Sequence, residues 1–346
     1  MIKQFFDKIR PNFEEGGKLH AFRSVFEGME TFMLVPNTTS KVGVSIHDAI
    51  DSKRIMSFVV IALIPALLFG MYNIGYQNAA AAGKLAETGF WSMFLYGFLL
   101  VLPKIVVSYV VGLGIEFAVA QWKKEEIQEG YLVSGILIPL IVPVNCPLWM
   151  LALAVAFSVI ICKEIFGGTG MNIFNPALIA RAFLFFSYPT SMSGDKVWVA
   201  GKEVFGLGYN LPDAATMATP LGEVGAGLQP TASLSDMIVG LIPGSIGETS
   251  VIAIAIGALI LLYTQIASIR TMTSVFVGGV LVAVLFNMAG MEGNAVANMP
   301  WYEHIVTGGF CFGAVFMATD PVTSSRTEKG QYVYAVSYTH LTLPTT

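Results

Sequence analysis

From Ile55 to Tyr72 the chain carries no charged side chain. A helix rises 1.5 Å per residue, so this run alone reaches across most of a ~30 Å hydrocarbon layer. Inside such a layer no water pairs with exposed backbone N–H and C=O groups. The run must therefore close its own hydrogen bonds as a helix, with Pro65 marking a kink. A second apolar span runs from Phe94 to Val119 and stops at Lys123-Lys124. A Gly/Ala-rich link ending at Gly89 joins the two. Tyr131–Val144 and Leu148–Cys162 follow, and Pro143-Val144-Asn145-Cys146-Pro147 between them leaves room only for a tight turn. An apolar run leads from Asn175-Pro176 to Tyr188, and Met237–Ile242 reads as a partial element. Val251–Ile269, Val275–Ala289 and Ile305–Met317 complete the set, the last stopping at Asp320-Pro321.

The pattern predicts an all-α polytopic membrane protein with about eight or more transmembrane or half-transmembrane helices. Only 12% of the residues are charged, against about 25% in soluble domains. Mean hydropathy is +0.68. A net charge of −4 offers nothing to a nucleic acid. Cys146, Cys162 and Cys311 lie far apart in apolar runs, without metal-ligand spacing, and read as small buried hydrophobes. No metal site is expected.

Residues 1–54 form a basic extension expected on the cytoplasmic side. Phe5, Phe6, Ile9 and Phe13 recur there at helical spacing beside Lys3, Lys8 and Arg10. That pattern suits a short helix on a membrane or partner surface, or a plain soluble extension. Residues 55–335 form the membrane domain. Residues 336–346 are polar and Thr-rich where a further apolar span would start, so they read as a non-native tail with C-terminal helices missing. Alternating sides from a cytoplasmic start puts Lys123, Lys124, Arg270, Arg326 and Lys329 inside. Lys84, Lys196, Lys202 and the loop 189–235 then fall outside.

Two breaks echo one another. Gly167-Gly168 precedes Asn175-Pro176, and Gly308-Gly309 precedes Asp320-Pro321. Interrupted apolar segments in both halves suggest an inverted repeat of broken helices around a midplane ion site. Glycines that let helices pack closely account for the same residues. Glu116 lies within an apolar run; a carboxylate there suits a hard cation, or pairs with Lys123 nearby. Phe183, Phe185 and Arg181 could sandwich and polarise a quinone ring, or simply pack while Arg181 snorkels.

The longest polar interruption carries Asp213, Thr216, Ala218 and Thr219, reading Asp-x-x-Thr-x-Ala-Thr. By itself this is a turn closed by Asp213 and Pro220. Other segments add to it: Asp7-Lys8-Ile9-Arg10-Pro11, Asp51-Ser52-Lys53-Arg54, Lys163-Glu164-Ile165-Phe166-Gly167-Gly168-Thr169-Gly170, Arg181-Ala182-Phe183-Leu184-Phe185-Phe186, Ile242-Pro243-Gly244-Ser245-Ile246-Gly247-Glu248 and Phe316-Met317-Ala318-Thr319-Asp320-Pro321. Together they resemble the B-type membrane subunit of bacterial sodium-translocating NADH:quinone reductases, with the D-type subunit of the Rnf complex as a close relative.

The resemblance implies FMN bound by phosphoester to Thr219, set by Asp213, Thr216 and Ala218, with Met217 departing from the usual small residue. It implies riboflavin near Asn175, and a quinone pocket at a glycine pair before an acid. Here Gly112 is kept, Leu113 replaces the second glycine, and Glu116 is the acid. It also implies ubiquinone as substrate, sodium export, partner subunits, a flavin transferase for maturation and the bacterial inner membrane. No residue acts as a covalent catalyst in turnover. No Gly-x-Gly-x-x-Gly is placed for nicotinamide binding, so NADH oxidation would belong to a partner. A transporter without redox chemistry and a scaffold that docks redox partners stay open. The first predicts no bound flavin; the second predicts that Thr219 is dispensable.

Overall fold

The computed structural model describes residues 2–14, 17, 19, 22–34, 43, 52–123, 130–212, 217–290 and 294–342. Asp213, Thr216 and Lys124 lie outside the described residues. The N-terminal helices are α1 (Ile2–Ile9) and α2 (Arg23–Met33). The long ones follow as α3 (Ser52–Ala81) and α4 (Phe90–Lys123). Next come α5 (Tyr131–Leu140), α6 (Leu148–Ser158), α7 (Pro176–Ser187) and α8 (Pro189–Met192). The short α9 (Pro220–Gly225) and α10 (Leu234–Val239) precede α11 (Val251–Tyr263) and α12 (Ile269–Ala289). Last are α13 (Trp301–Val306), α14 (Phe310–Phe312) and α15 (Glu328–Thr342). Among the described residues the only β-pairing is an isolated Val204–Leu207 bridge. The chain is an all-α membrane protein. Three helices, α3, α4 and α12, are long and apolar enough to cross a bilayer.

Helices α3 and α4 are antiparallel, and small residues bring their backbones together. A Cβ added at Gly75 would strike the backbone of Met93, and one at Gly97 the backbone of Met71. Without a hydrophobic drive between helices in lipid, such close contact supplies the packing. Helix α3 also packs on α11, α12 on α15, and both α5 and α6 lean on α4. The 143–147 link is the tight turn expected, closed by Cys146 N–H donating to the Pro143 carbonyl at 3.2 Å. All three cysteines are free and buried.

Several boundaries differ from the sequence reading. The Gly/Ala-rich link after Tyr72 is helical as far as Ala81. Its polar residues turn inward instead of facing water. The Asn78 amide donates to the carbonyls of Ala200 (2.7 Å) and Tyr209 (3.0 Å), and accepts from Tyr209 N–H at 2.8 Å. Asn73 donates to the Ile242 carbonyl at 2.9 Å. The end of α3 thus clasps the polar segment that carries Thr219. Asn78→Leu would leave those backbone groups dry, at about 1–3 kcal/mol each. We expect limited proteolysis of the 200–209 segment to run faster in that variant.

The run Val251–Ile269 is helical only to Tyr263; Gln265 takes φ +57° in the turn that follows, and Ile269 opens α12, which takes in the expected Val275–Ala289. The run Ile305–Met317 is broken at Thr307-Gly308-Gly309, with Gly308 at φ +64°. Phe13 packs within the N-terminal helices: its ring stacks on Phe26 at 4.6 Å, and Phe6 meets the same ring at 5.7 Å. Phe5 stays exposed. The polar stretch from Val336 continues α15 to Thr342.

Helices α5, α7 and α11, of 10, 12 and 13 residues, are half-length. At 1.5 Å per residue they run about 15–20 Å. Two π-helical turns occur beside them, Val159–Glu164 after α6 and Gly313–Met317 after α14.

Candidate functional site

Two clefts lie at the ends of the half-length helices. One, called the inner cleft, has about 590 Å3 of open space with its mouth included, and holds residues of the first break together with the Asp320-Pro321 step. Lys163, Thr169, Asn172, Asn175, Thr319 and Asp320 line it with Ser134 of α5. Three glycines of the first break, Gly167, Gly168 and Gly170, take φ values of +111°, +97° and +94°, which side chains with a Cβ avoid. Asn175 caps α7, accepting from Ala177 N–H at 2.8 Å, with Pro176 at the first helical position where no N–H is missed. Its amide nitrogen donates to Asp320 Oδ2 at 3.1 Å. Asn175-Pro176 and Asp320-Pro321, which the sequence pairs only by likeness, are in contact.

The other, outer cleft has about 460 Å3 of open space. Arg181, Trp198, Thr219, Gly244, Glu248, Gly308 and Gly309 are on its walls. Thr219 is half-buried and caps α9, its Oγ1 accepting from Gly222 N–H at 3.0 Å. Met217 N–H donates to the Asp195 carbonyl at 2.9 Å, fixing the entry to the cap. Arg181 and Glu248 form an ion pair, Glu248 being 6% exposed. A Cβ at Gly309 would come within 2.9 Å of that carboxylate, so a larger residue at the second break would have to push Glu248 aside. Leu140, at the end of α5, accepts from Gly247 N–H at 2.7 Å, so this half-helix stops at the loop beside Glu248.

Charge sorts along the bundle. Lys84 lies over the Tyr209 ring at 5.0 Å, and Asn145 donates to the carbonyls of Lys196 and Val199 at 2.8 Å each. These lysines therefore share the Thr219 end. Lys123 pairs with Glu164 at 3.7 Å and Arg270 with Glu328 at 2.6 Å, at the other end.

The proposed quinone residues do not converge. Arg181 faces the outer cleft, Phe183 stacks on Phe157 at 4.6 Å, and Phe185 is exposed beside Phe186. Phe183, two residues from each of the others on α7, is turned about 200° away from Arg181 and Phe185. Gly112 lies under the Tyr131 ring of α5, so it serves close α4–α5 packing. Glu116 does not reach Lys123. It forms an ion pair with Lys163, from the π turn after α6. Sequence reasoning passed over Lys163, Glu248 and Trp198. The signal available for Lys163 was its charge directly at the end of an apolar run; for Glu248, its place after Pro243-Gly244-Ser245-Ile246-Gly247.

The model of the NQR2, RnfD, RnfE family matches residues 39–343. The chain belongs to this family. Among its relatives is a protein of Chromohalobacter salexigens named as the B-type subunit of a Na(+)-translocating NADH-quinone reductase. It is 42% identical over 352 residues, covering 96% of this chain and 84% of the relative. Proteins of the same name from Azotobacter vinelandii and Neisseria meningitidis serogroup B are 41% and 39% identical. They align over 97% and 96% of this chain and 87% and 86% of their own lengths. The family match takes in both helix breaks, Thr219, Glu116, and α15 with the polar stretch that follows Val336.

Proposed function

We propose that this chain is the membrane subunit of a redox-driven sodium pump, the counterpart of the reductase subunits it resembles. In this reading Thr219 carries FMN as a phosphoester. Electrons arrive from partner subunits, which oxidise NADH, and leave to ubiquinone while sodium moves outward. A flavin transferase acts on the Thr219 loop, which lies on the outer face of a bacterial inner membrane. The Thr219 end of the bundle holds three lysines, Lys84, Lys196 and Lys202, whereas the other end holds Lys123, Arg270, the Lys53-Arg54 start of α3, and Arg326 and Lys329 beside the Glu328 partner of Arg270. The positive-inside bias therefore favours that orientation.

The observation that carries the reading is the placement of Thr219. Its hydroxyl sits on the wall of a cleft that opens to the surface, with Trp198 as a flat neighbour and Gly244, Gly308 and Gly309 beside it. The residues present fit the group. A phosphoester on Oγ1 would share the cleft with the Arg181 guanidinium, of the sign a phosphate needs. Glu248 holds Arg181 in place, and the caps of α9 and the clasp from Asn78 fix the loop that bears Thr219. A tethered flavin supplies electron transfer at fixed position and high effective concentration. In the same reading riboflavin belongs near Asn175, at the inner cleft, where Asn172, Asn175 and Asp320 offer amide and carboxylate partners. The paired breaks support an inverted repeat, and Glu116 remains the proposed cation residue.

Thr219→Val should abolish covalent flavin. The assay is ultraviolet fluorescence in a denaturing gel, with the chain co-expressed with a flavin transferase. Fluorescence persisting in the variant sinks the attachment site. Its absence in both proteins, with the transferase active on a control, favours a transporter or scaffold.

A further inference from the structure

Glu116 and Lys163 are 3% and 4% exposed in their side chains. Taking both charges out of water is costly, and an apolar pair of similar size often packs as well. Ionisable groups at membrane depth mark ion paths more often than they serve as braces. Three details separate this pair from a brace. Lys163 belongs to the π turn Val159–Glu164, a widened turn of the kind that recurs at functional sites. Lys163 also lines the inner cleft, whereas Glu116 does not. The neighbouring Glu164 is held by Lys123, two turns further along α4, which anchors the far end of the π turn while Lys163 reaches inward.

We infer that Lys163 is a tethered cation that competes with the transported monovalent cation for the Glu116 carboxylate. The inference rests on the reading of Glu116 as the cation residue. An ammonium and a sodium ion bring the same charge to the same oxygens, so they exclude one another. The flexible four-carbon stem of Lys163 lets the ammonium withdraw toward the cleft when an ion arrives. Its return displaces the ion. Without that competitor a buried carboxylate holds its ion too well, and transport needs sites that also let go.

The test uses the assembled reductase complex and titrates turnover with sodium. Lys163→Gln keeps a hydrogen-bond donor and removes the charge. The sodium concentration for half-maximal turnover should fall about fivefold or more, while kcat falls as release slows. Lys163→Arg, which keeps the charge, should stay near the wild type. A purely structural lysine would lower yield or kcat with the sodium KM unchanged; that result, or a raised KM, overturns the inference. Should Lys163→Gln fail to assemble, the pair E116Q/K163Q restores neutrality. Its sodium KM should be raised and equal to that of Glu116→Gln alone, and a wild-type KM in the double variant overturns the inference. Wild-type turnover that ignores sodium defeats the pump reading itself, whatever Lys163 does.

Discussion

Gly97→Leu is expected to leave little folded protein in the membrane. The Cβ alone would overlap the Met71 backbone, and backbone cannot swing aside as a side chain can. Overpacking a tight interior typically costs about 1–3 kcal/mol, and the cost rises where no rotamer relieves it. Here the whole α3–α4 contact must open, because Gly75 makes the reciprocal approach to Met93. Opening it would loosen the end of α3, where Asn73 and Asn78 hold the outer segment. The effect is read as the fraction of monodisperse protein in detergent and as its thermal midpoint. A midpoint within about 2 °C of the wild type would mean that α3 and α4 are not in close contact. Gly97→Ala should fall between the two.

The second large effect comes from Arg181→Met. Glu248 is 6% exposed, and removing its partner leaves a carboxylate without its counter-charge. Breaking a buried pair in this way costs about 3–5 kcal/mol, whereas replacing both partners with apolar residues is near neutral. Arg181→Met should therefore be strongly destabilised and R181M/E248M should recover most of the loss. Covalent flavin should stay low in both, because both lack the cation in the Thr219 cleft. Two readouts separate fold from site: thermal stability and in-gel fluorescence per folded chain. A single variant as stable as the wild type would mean that Glu248 is solvated.

Sequence alone captured what hydropathy governs. The long helices α3 and α4, the tight turn at Pro143–Pro147 and the breaks at Gly167–Gly170 and Gly308-Gly309 were all legible, because apolar runs, glycine and proline act locally. Pairing across the fold was not legible. Asn78 reads as part of a polar link until the 200–209 segment folds over it. Glu116 looks nearest to Lys123 along the helix, yet α4 turns it toward Lys163, whose position depends on how α6 widens into a π turn. Phe183 and Arg181 are neighbours in the chain but face apart, since two residues on a helix are separated by about 200°. The likeness of Asn175-Pro176 and Asp320-Pro321 was visible; the hydrogen bond between them needed the fold.

The half-length helices carry an electrical consequence. A voltage falls mainly across the part of a membrane that polar groups and water do not enter. Between the inner and outer clefts that part shrinks toward the length of α5, ten residues or about 15 Å, half the thickness of the surrounding hydrocarbon. The field there is correspondingly steeper than in bare lipid. An ion crossing this short layer traverses most of the drop, worth about 2.3 kcal/mol per elementary charge at 100 mV. In the pump reading, the work of moving a charge is thus concentrated in the short layer between the two clefts.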